Sequence, residues 1–151
     1  MKILVDGDGC PAAVKELIFK SVYRRYFKLI VVANRYIQVP LLEQVQGIVV
    51  GAGPDVADDR IVELVEPGDL VIAADIPLAD RVIKKGAVVL NHHGDLLDEE
   101  SIGQRLAVRN LMTDLRNEGI MTGGSGAYNN KDKQKFANQL DRFLTKNFKP
   151  Y

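Results

Sequence analysis

Hydrophobic and polar positions change rhythm along this chain. Through the first ninety residues, short unbroken apolar runs alternate with stretches of helical period. The runs are "KILVD" (2–6), "KLIVVA" (28–33), "GIVV" (47–50), "DLVIAA" (69–74) and "AVVL" (87–90), each bounded by Gly, Pro or polar residues. Continuous rather than alternating apolarity predicts strands buried on both faces, as in a parallel sheet covered by helices. Helices are expected between them at 11–25, 55–65 and 77–85. In the first, Val14, Leu17, Ile18 and Val22 follow the helical period, and Pro11 sits where a first-turn proline is tolerated. Asp55 is placed to cap the second. The segment 34–46, "NRYIQVPLLEQVQ", contains Pro40 and reads as a loop with a short helix. Strand–helix alternation with short connections predicts an open, mostly parallel Rossmann-like α/β sheet with right-handed crossovers.

After residue 90 the pattern turns helical. Residues 99–117 and 131–147 read as two amphipathic helices, with Leu106, Leu111 and Leu115 on one apolar face and Phe136, Leu140, Phe143 and Leu144 on the other. The expectation is a single domain, an α/β core over 1–95 with a helical extension over 96–151.

Size and composition fit that plan. A chain of 151 residues with 46% hydrophobic and 26% charged positions can bury one sizeable core. No apolar run approaches the roughly 20 residues that span a bilayer. The apolar stretch of "MKILVDGDG" is too short for a secretory signal, and a lone cysteine, Cys10, forms no internal disulfide. A cytoplasmic protein without membrane contact is expected.

Charge is balanced overall but unevenly spread. Basic residues outnumber acidic ones 7 to 4 in 1–50, fall behind 4 to 12 in 51–100, and lead 9 to 4 in 101–151. The acids also fall at telling places, because ligands of open α/β sheets collect beyond the carboxyl ends of the strands. Asp6 ends the first run and Asp8 follows two residues on. Asp75 follows "DLVIAA". Asp55, Asp58 and Asp59 open the helix after "GIVV", and their spacing gives them one helical face. Carboxylates so placed repel one another unless a cation neutralises them. Hard oxygen donors without a zinc-type Cys or His pattern point to Mg²⁺ or Mn²⁺, and so to phosphoester chemistry. The ligand set read from the chain is Asp6, Asp8, Asp55, Asp58 and Asp75, with Asp6, Asp58 and Asp75 catalytic. Simpler roles exist for each acid: Asp55 and Asp58 as helix caps, Asp59 as a solvated group, and Asp80 as the ion-pair partner of Lys84 four residues on. Asp59 and Asp80 are therefore the weaker members.

The stretches "VDGDGCP", "GPDVADDRIV", "GDLVIAADIPLADRVIKKGAVVLN" and "TGGSGAYNNKDKQKFANQLDRFL" together resemble the YaiI/YqxD family of uncharacterised bacterial proteins, over essentially the whole chain. The resemblance implies membership of the wider PIN-like nuclease group, with a Rossmann-like sheet and an aspartate cluster that binds divalent metal and cleaves RNA or DNA. On that likeness Asp6 is the first-strand acid, Asp58 or Asp59 a ligand from a helix similar to the "EADD" helix of flap nucleases, and Asp75 the acid after the fourth strand. Flap nucleases often carry another acid two residues further, where this chain has Pro77. The family usually has alanines flanking its second aspartate, where Gly7 and Gly9 stand here, and often Asn-Pro-Arg where this chain has Asn91, His92 and His93.

Other features carry weaker chemistry. Cys10 at a helix start is either a nucleophile or a small buried residue. His92 and His93 read as surface groups or phosphate contacts. "TGGSGAY" offers backbone N–H groups to an anion or is a plain connection, and it lacks the ending of a P-loop. Arg105, Arg109 and Arg116, with Lys131, Lys133 and Lys135, form a basic set able to hold a nucleic-acid backbone or simply a solvated face. Three functional readings follow: a Mg²⁺- or Mn²⁺-dependent PIN-like nuclease acting on RNA, a non-catalytic nucleic-acid or protein-binding module, and a haloacid-dehalogenase-like phosphatase. The last rests on Asp-x-Asp-Gly after an apolar strand, but Cys10 stands where that family has Thr or Ser.

Overall fold

The computed structural model describes residues 1–53, 55–117 and 128–148, with the side chains of 113–117 outside that description. Five parallel strands, β1 (Lys2–Asp6), β2 (Lys28–Ala33), β3 (Val45–Val49), β4 (Leu70–Ile72) and β5 (Val88–Leu90), and one short antiparallel strand, β6 (Leu96–Leu97), form one sheet in the order β3-β2-β1-β4-β5-β6. The helices are α1 (Ala12–Arg24), α2 (Val56–Leu64), α3 (Ile76–Lys84), α4 (Glu99–Asn117) and α5 (Asn130–Asn147). Strand order reverses between β1 and β4, so the carboxyl ends of these neighbours flank a topological switch point.

Unbroken apolarity in the strands has the expected cause: both sheet faces are covered. Ile3, Val5, Leu29, Val31 and Ile72 pack beneath Val14, Ile18 and Val22 of α1 and Phe136, Leu140 and Leu144 of α5. Leu4, Val32, Val71 and Val89 pack on the other face against Ile61 of α2 and Leu78, Val82 and Ile83 of α3. Helix α5 therefore completes one core face, with its start fixed by a capping box in which Asn129 and Asp132 each accept the other's backbone N–H at 3.1 Å.

Two local expectations are corrected, and one strand is added. No helix forms over 34–44, which runs as an irregular segment into β3. The residue before Pro40 is the β-branched Val39, which favours extended backbone. Ile37 and Val39 turn inward here: a Cβ placed on Gly7 would meet Ile37 Cδ1 at 2.7 Å, and one on Gly47 would meet Val39 at 3.7 Å. Asp55 does occupy the position before α2, and its carbonyl accepts the Asp59 N–H at 2.8 Å. Its side chain makes no capping bond, because the residue sits in the left-handed region at φ 66°. Aspartate is one of the few side chains that tolerate this. The sixth strand, β6, has only two residues and was not anticipated, being too short to show periodicity.

Candidate functional site at the switch point

Asp6 is the last residue of β1, and Asp75 lies three residues beyond β4 as the N-cap of α3. Between them α2 brings Asp58, half-buried in the first turn of a helix that packs on β1, β2 and α3. Three separate elements thus deliver carboxylates to the switch-point edge. Their charges interact. Burial raises the Asp6 carboxyl above its usual range, and the neighbouring charges of Asp8 and Asp75 add to this, against backbone N–H donation from Asp8 and Gly9. Burial followed by the charges of Asp75, Asp6 and Asp55 pushes Asp58 up to about 6, with Arg81 opposing.

Several of these groups already hold partners. Asp75 Oδ1 accepts the Leu78 N–H at 2.9 Å and so starts α3. Asp8 Oδ2 accepts the Asn34 N–H at 2.8 Å, tying the β1 loop to the end of β2. Each of these carboxylates keeps a second oxygen. Asp59 pairs with Arg81 at 2.9 Å and Asp80 with Lys84 at 2.9 Å, so both are taken up in exposed ion pairs. Asp55 is exposed at the rim and acts on Asp58 through its charge. Among the described residues, no three His, Cys, Asp or Glu side chains stand close enough to hold one metal ion.

The basic set divides. Arg105 and Arg109 line a cleft of about 480 Å³ between α4 and the start of α3, next to Asp75, with Ile76, Gln104 and Val108. Arg105 also reaches Asp95 at 3.0 Å. Lys135 is bound to the same carboxylate at 2.6 Å, while Lys131 and Lys133 are exposed near the start of α5. The Arg116 side chain and residues 122–127 of "TGGSGAY" lie outside the described residues. Cys10 is buried, and burial pushes its thiol up to about 12, which leaves no thiolate for nucleophilic work near neutrality.

The histidine expectation is corrected at His92. It is 5% exposed, its Nε2 has no hydrogen-bond partner, and burial with the His93 charge lowers it to about 4. His93 is exposed as expected, with Nδ1 3.0 Å from an Asp132 oxygen on α5. Two acids were missed. Asp95 gathers Lys135, Arg105 and Asn91. Asp69, 2% exposed at the opposite end of the sheet, binds Lys2 Nζ at 2.7 Å and the backbone N–H groups of Lys2 and Glu66. An aspartate opening an apolar run beside Pro67-Gly68 was the available signal for Asp69.

Fold and site together define an open α/β protein with carboxylates from three elements at the edge of its topological switch point. The chain belongs to the uncharacterised YaiI/YqxD family, whose model matches residues 4–146. It is 53% identical over 146 residues to a UPF0178 protein of Maridesulfovibrio salexigens, covering 97% of each chain. It is 49% identical to one of Stutzerimonas stutzeri, again over 97% of each, and 51% identical to one of Pseudoalteromonas atlantica, over 95% of this chain and 98% of the relative. No solved structure matches the chain. No helix among the described residues is long and apolar enough to cross a membrane.

Proposed function

We propose that this protein is a divalent-cation-dependent phosphodiesterase of PIN-like type that cleaves RNA. Support comes above all from Asp6, Asp58 and Asp75, which arrive from β1, α2 and the start of α3 at the switch point, where burial raises the Asp6 and Asp58 carboxyls and the charge of Asp75 adds to both. Such a set suits a hard cation by donor chemistry, since every donor is a carboxylate oxygen and the crowding lacks a sufficient counter-charge. Among the described residues no three of these side chains already stand close enough to hold one ion, so binding requires them to draw together. Asp6, Asp58 and Asp75 would hold the ion, with the second oxygen of Asp8 and the rim carboxylate of Asp55 close by. A bound Mg²⁺ or Mn²⁺ supplies polarisation of a phosphoryl oxygen and a nucleophilic water.

The chain's own groups then have distinct tasks. Capping by Asp75 keeps its carboxylate fixed at the crevice, and the Asp8–Asn34 bond fixes the opposite wall. Arg109 and Arg105, in the cleft beside Ile76, receive the phosphates that flank the scissile one.

Mn²⁺ titration by calorimetry and cleavage of single-stranded RNA, with Asp6→Asn and Asp75→Asn variants, test this reading. Both variants are expected to lose cation binding and cleavage together. Unchanged Mn²⁺ affinity in the two variants overturns it. RNA binding that ignores chelators, without cleavage, leaves a binding module instead. A phosphomonoester hydrolysed through a covalent adduct on Asp6 leaves the phosphatase.

A further inference from the structure

The segment after β2 carries a feature that the acidic crevice does not use. Tyr36 is 80% exposed and Arg35 is exposed beside it, on a stretch whose alternate residues Ile37 and Val39 are turned inward. The stretch is anchored. Asn34 is tied to Asp8 at 2.8 Å, Ile37 rests over Gly7, and Leu42 and Val45 close successive backbone bonds to Pro40 and Leu42. A cavity of about 140 Å³ opens under it, walled by Val31, Ile37, Val39 and Ile48 with Arg35 and Tyr36 at its mouth. On the other side of Ile37 lies a second, more open groove of about 370 Å³, where α1 contributes Phe19, Tyr23, Lys15, and Lys20 paired with Glu16 at 2.9 Å, so that Lys15 is the cation there outside that pair. Tyr23 is 60% exposed.

Two recesses of different size therefore share Ile37 as their common wall. Each has an exposed tyrosine and at least one cation, and the first is lined by Ala33 and Arg35, the neighbours in sequence of the Asn34 that is bonded to Asp8. Alternation of aromatic faces with cationic groups along a groove is how proteins hold single strands, by stacking bases and neutralising phosphates.

We infer that the grooves on either side of Ile37 bind unpaired bases of single-stranded RNA, with Tyr36 and Tyr23 as stacking platforms and Arg35 and Lys15 on the intervening phosphates. This extends the proposed cleavage by giving the strand a path into the crevice, but its evidence is separate. Specificity falls on single strands, because a paired base presents no free face to either tyrosine.

The test uses the full chain in EDTA, so that cleavage is silent. Affinity is measured by anisotropy for a short oligoadenylate and for an abasic ribose-phosphate oligomer of equal length. Tyr36→Ala is expected to weaken oligoadenylate binding about tenfold. Tyr36→Phe should keep it, and the abasic oligomer should bind weakly and equally to all three proteins. Tyr36 is too exposed for its replacement to threaten folding, and a thermal melt checks this. Equal affinity for the two oligomers, an unchanged Tyr36→Ala protein, or no binding to oligoadenylate overturns the inference. Base-dependent binding by a chain that takes up no Mn²⁺ and cleaves nothing overturns the proposed activity and leaves this inference standing. Cation-dependent cleavage without base dependence does the reverse.

Discussion

Asp95 and Lys135 meet at 2.6 Å, joining the turn after β5 to the second turn of α5 across forty residues of sequence. The same carboxylate accepts Arg105 of α4 at 3.0 Å and Asn91 Nδ2 at 3.3 Å. Contact between the turn and α5 is close enough that a Cβ on Gly94, at φ +90°, would fall 2.6 Å from the Lys135 carbonyl carbon. One aspartate thus fastens both C-terminal helices to the edge of the sheet.

Acid should loosen that fastening. Burial alone would raise the Asp95 carboxyl, but hydrogen bonds from Lys135, Arg105 and Asn91 outweigh it and hold it down at about 2. The folded-state value lies below the unfolded one, so the contribution is present above about pH 4 and is lost as pH falls toward 2. Asp95→Asn should cost about 1 kcal/mol at pH 7, as expected for a partly exposed charge network, and should flatten the decline of stability between pH 4 and 2. Urea unfolding across that range checks both.

His92 produces a second acid step, higher on the scale. Its folded-state value of about 4 lies below the roughly 6.5 of a free histidine. Stability from keeping it neutral is complete above about pH 6.5 and is lost as pH falls through 4, amounting to about 2–3 kcal/mol. His92→Leu removes both this dependence and the unpartnered Nε2. Its melting temperature should therefore fall less than the parent's between pH 7 and 5, as followed by circular dichroism.

Legibility of the sequence followed burial. Ile3, Leu4 and Val5 announced a strand covered on both faces because each lies in a core, and the helices of Val14, Ile18 and Val22 and of Phe136, Leu140 and Leu144 showed their period for the same reason. The segment 34–44 forms no helix because Ile37 and Val39, two residues apart as in extended chain, turn to the same side and lie over two glycines. The placement of Asp6, Asp58 and Asp75 at one edge of the sheet was legible because strand ends and helix starts can be located from the hydrophobic pattern. Asp95 was not: its partners lie ten and forty residues away, and no local period encodes them. Nor did any sequence signal tell the exposed His93 from the buried His92.

Phe136 tests whether α5 belongs to the core. The ring is fully buried among residues of β1, α1 and α5. Phe136→Ala should cost about 3–5 kcal/mol, the loss for a large buried ring with partial collapse of the cavity. A single cooperative urea transition shifted by that amount is expected. A separate early transition would mean that α5 melts independently of the sheet.

The acidic crevice makes the sharpest prediction, because stability and binding should move in opposite directions. In the chain without added cation, Asp58 is destabilised by burial and by the charges of Asp75, Asp6 and Asp55, and Arg81 opposes them. Asp58→Asn keeps the shape and removes the charge. Without added cation, the variant should melt at or above the parent's temperature at pH 7.5, where the parent's carboxyl is ionised and repelled. The advantage should shrink as pH falls below about 6 and the parent's carboxyl takes up a proton. Added Mn²⁺ should reverse the order, since a ligand that binds only the folded state raises the parent's melting temperature with concentration and leaves the variant unmoved. An Asp58 serving only the helix start would give the opposite metal-free result, because Asp58→Asn would forfeit a favourable charge near the N-terminus of α2. Thermal melts of the two proteins, with and without Mn²⁺ at two pH values, decide between a crevice strained to receive a cation and an ordinary helix terminus.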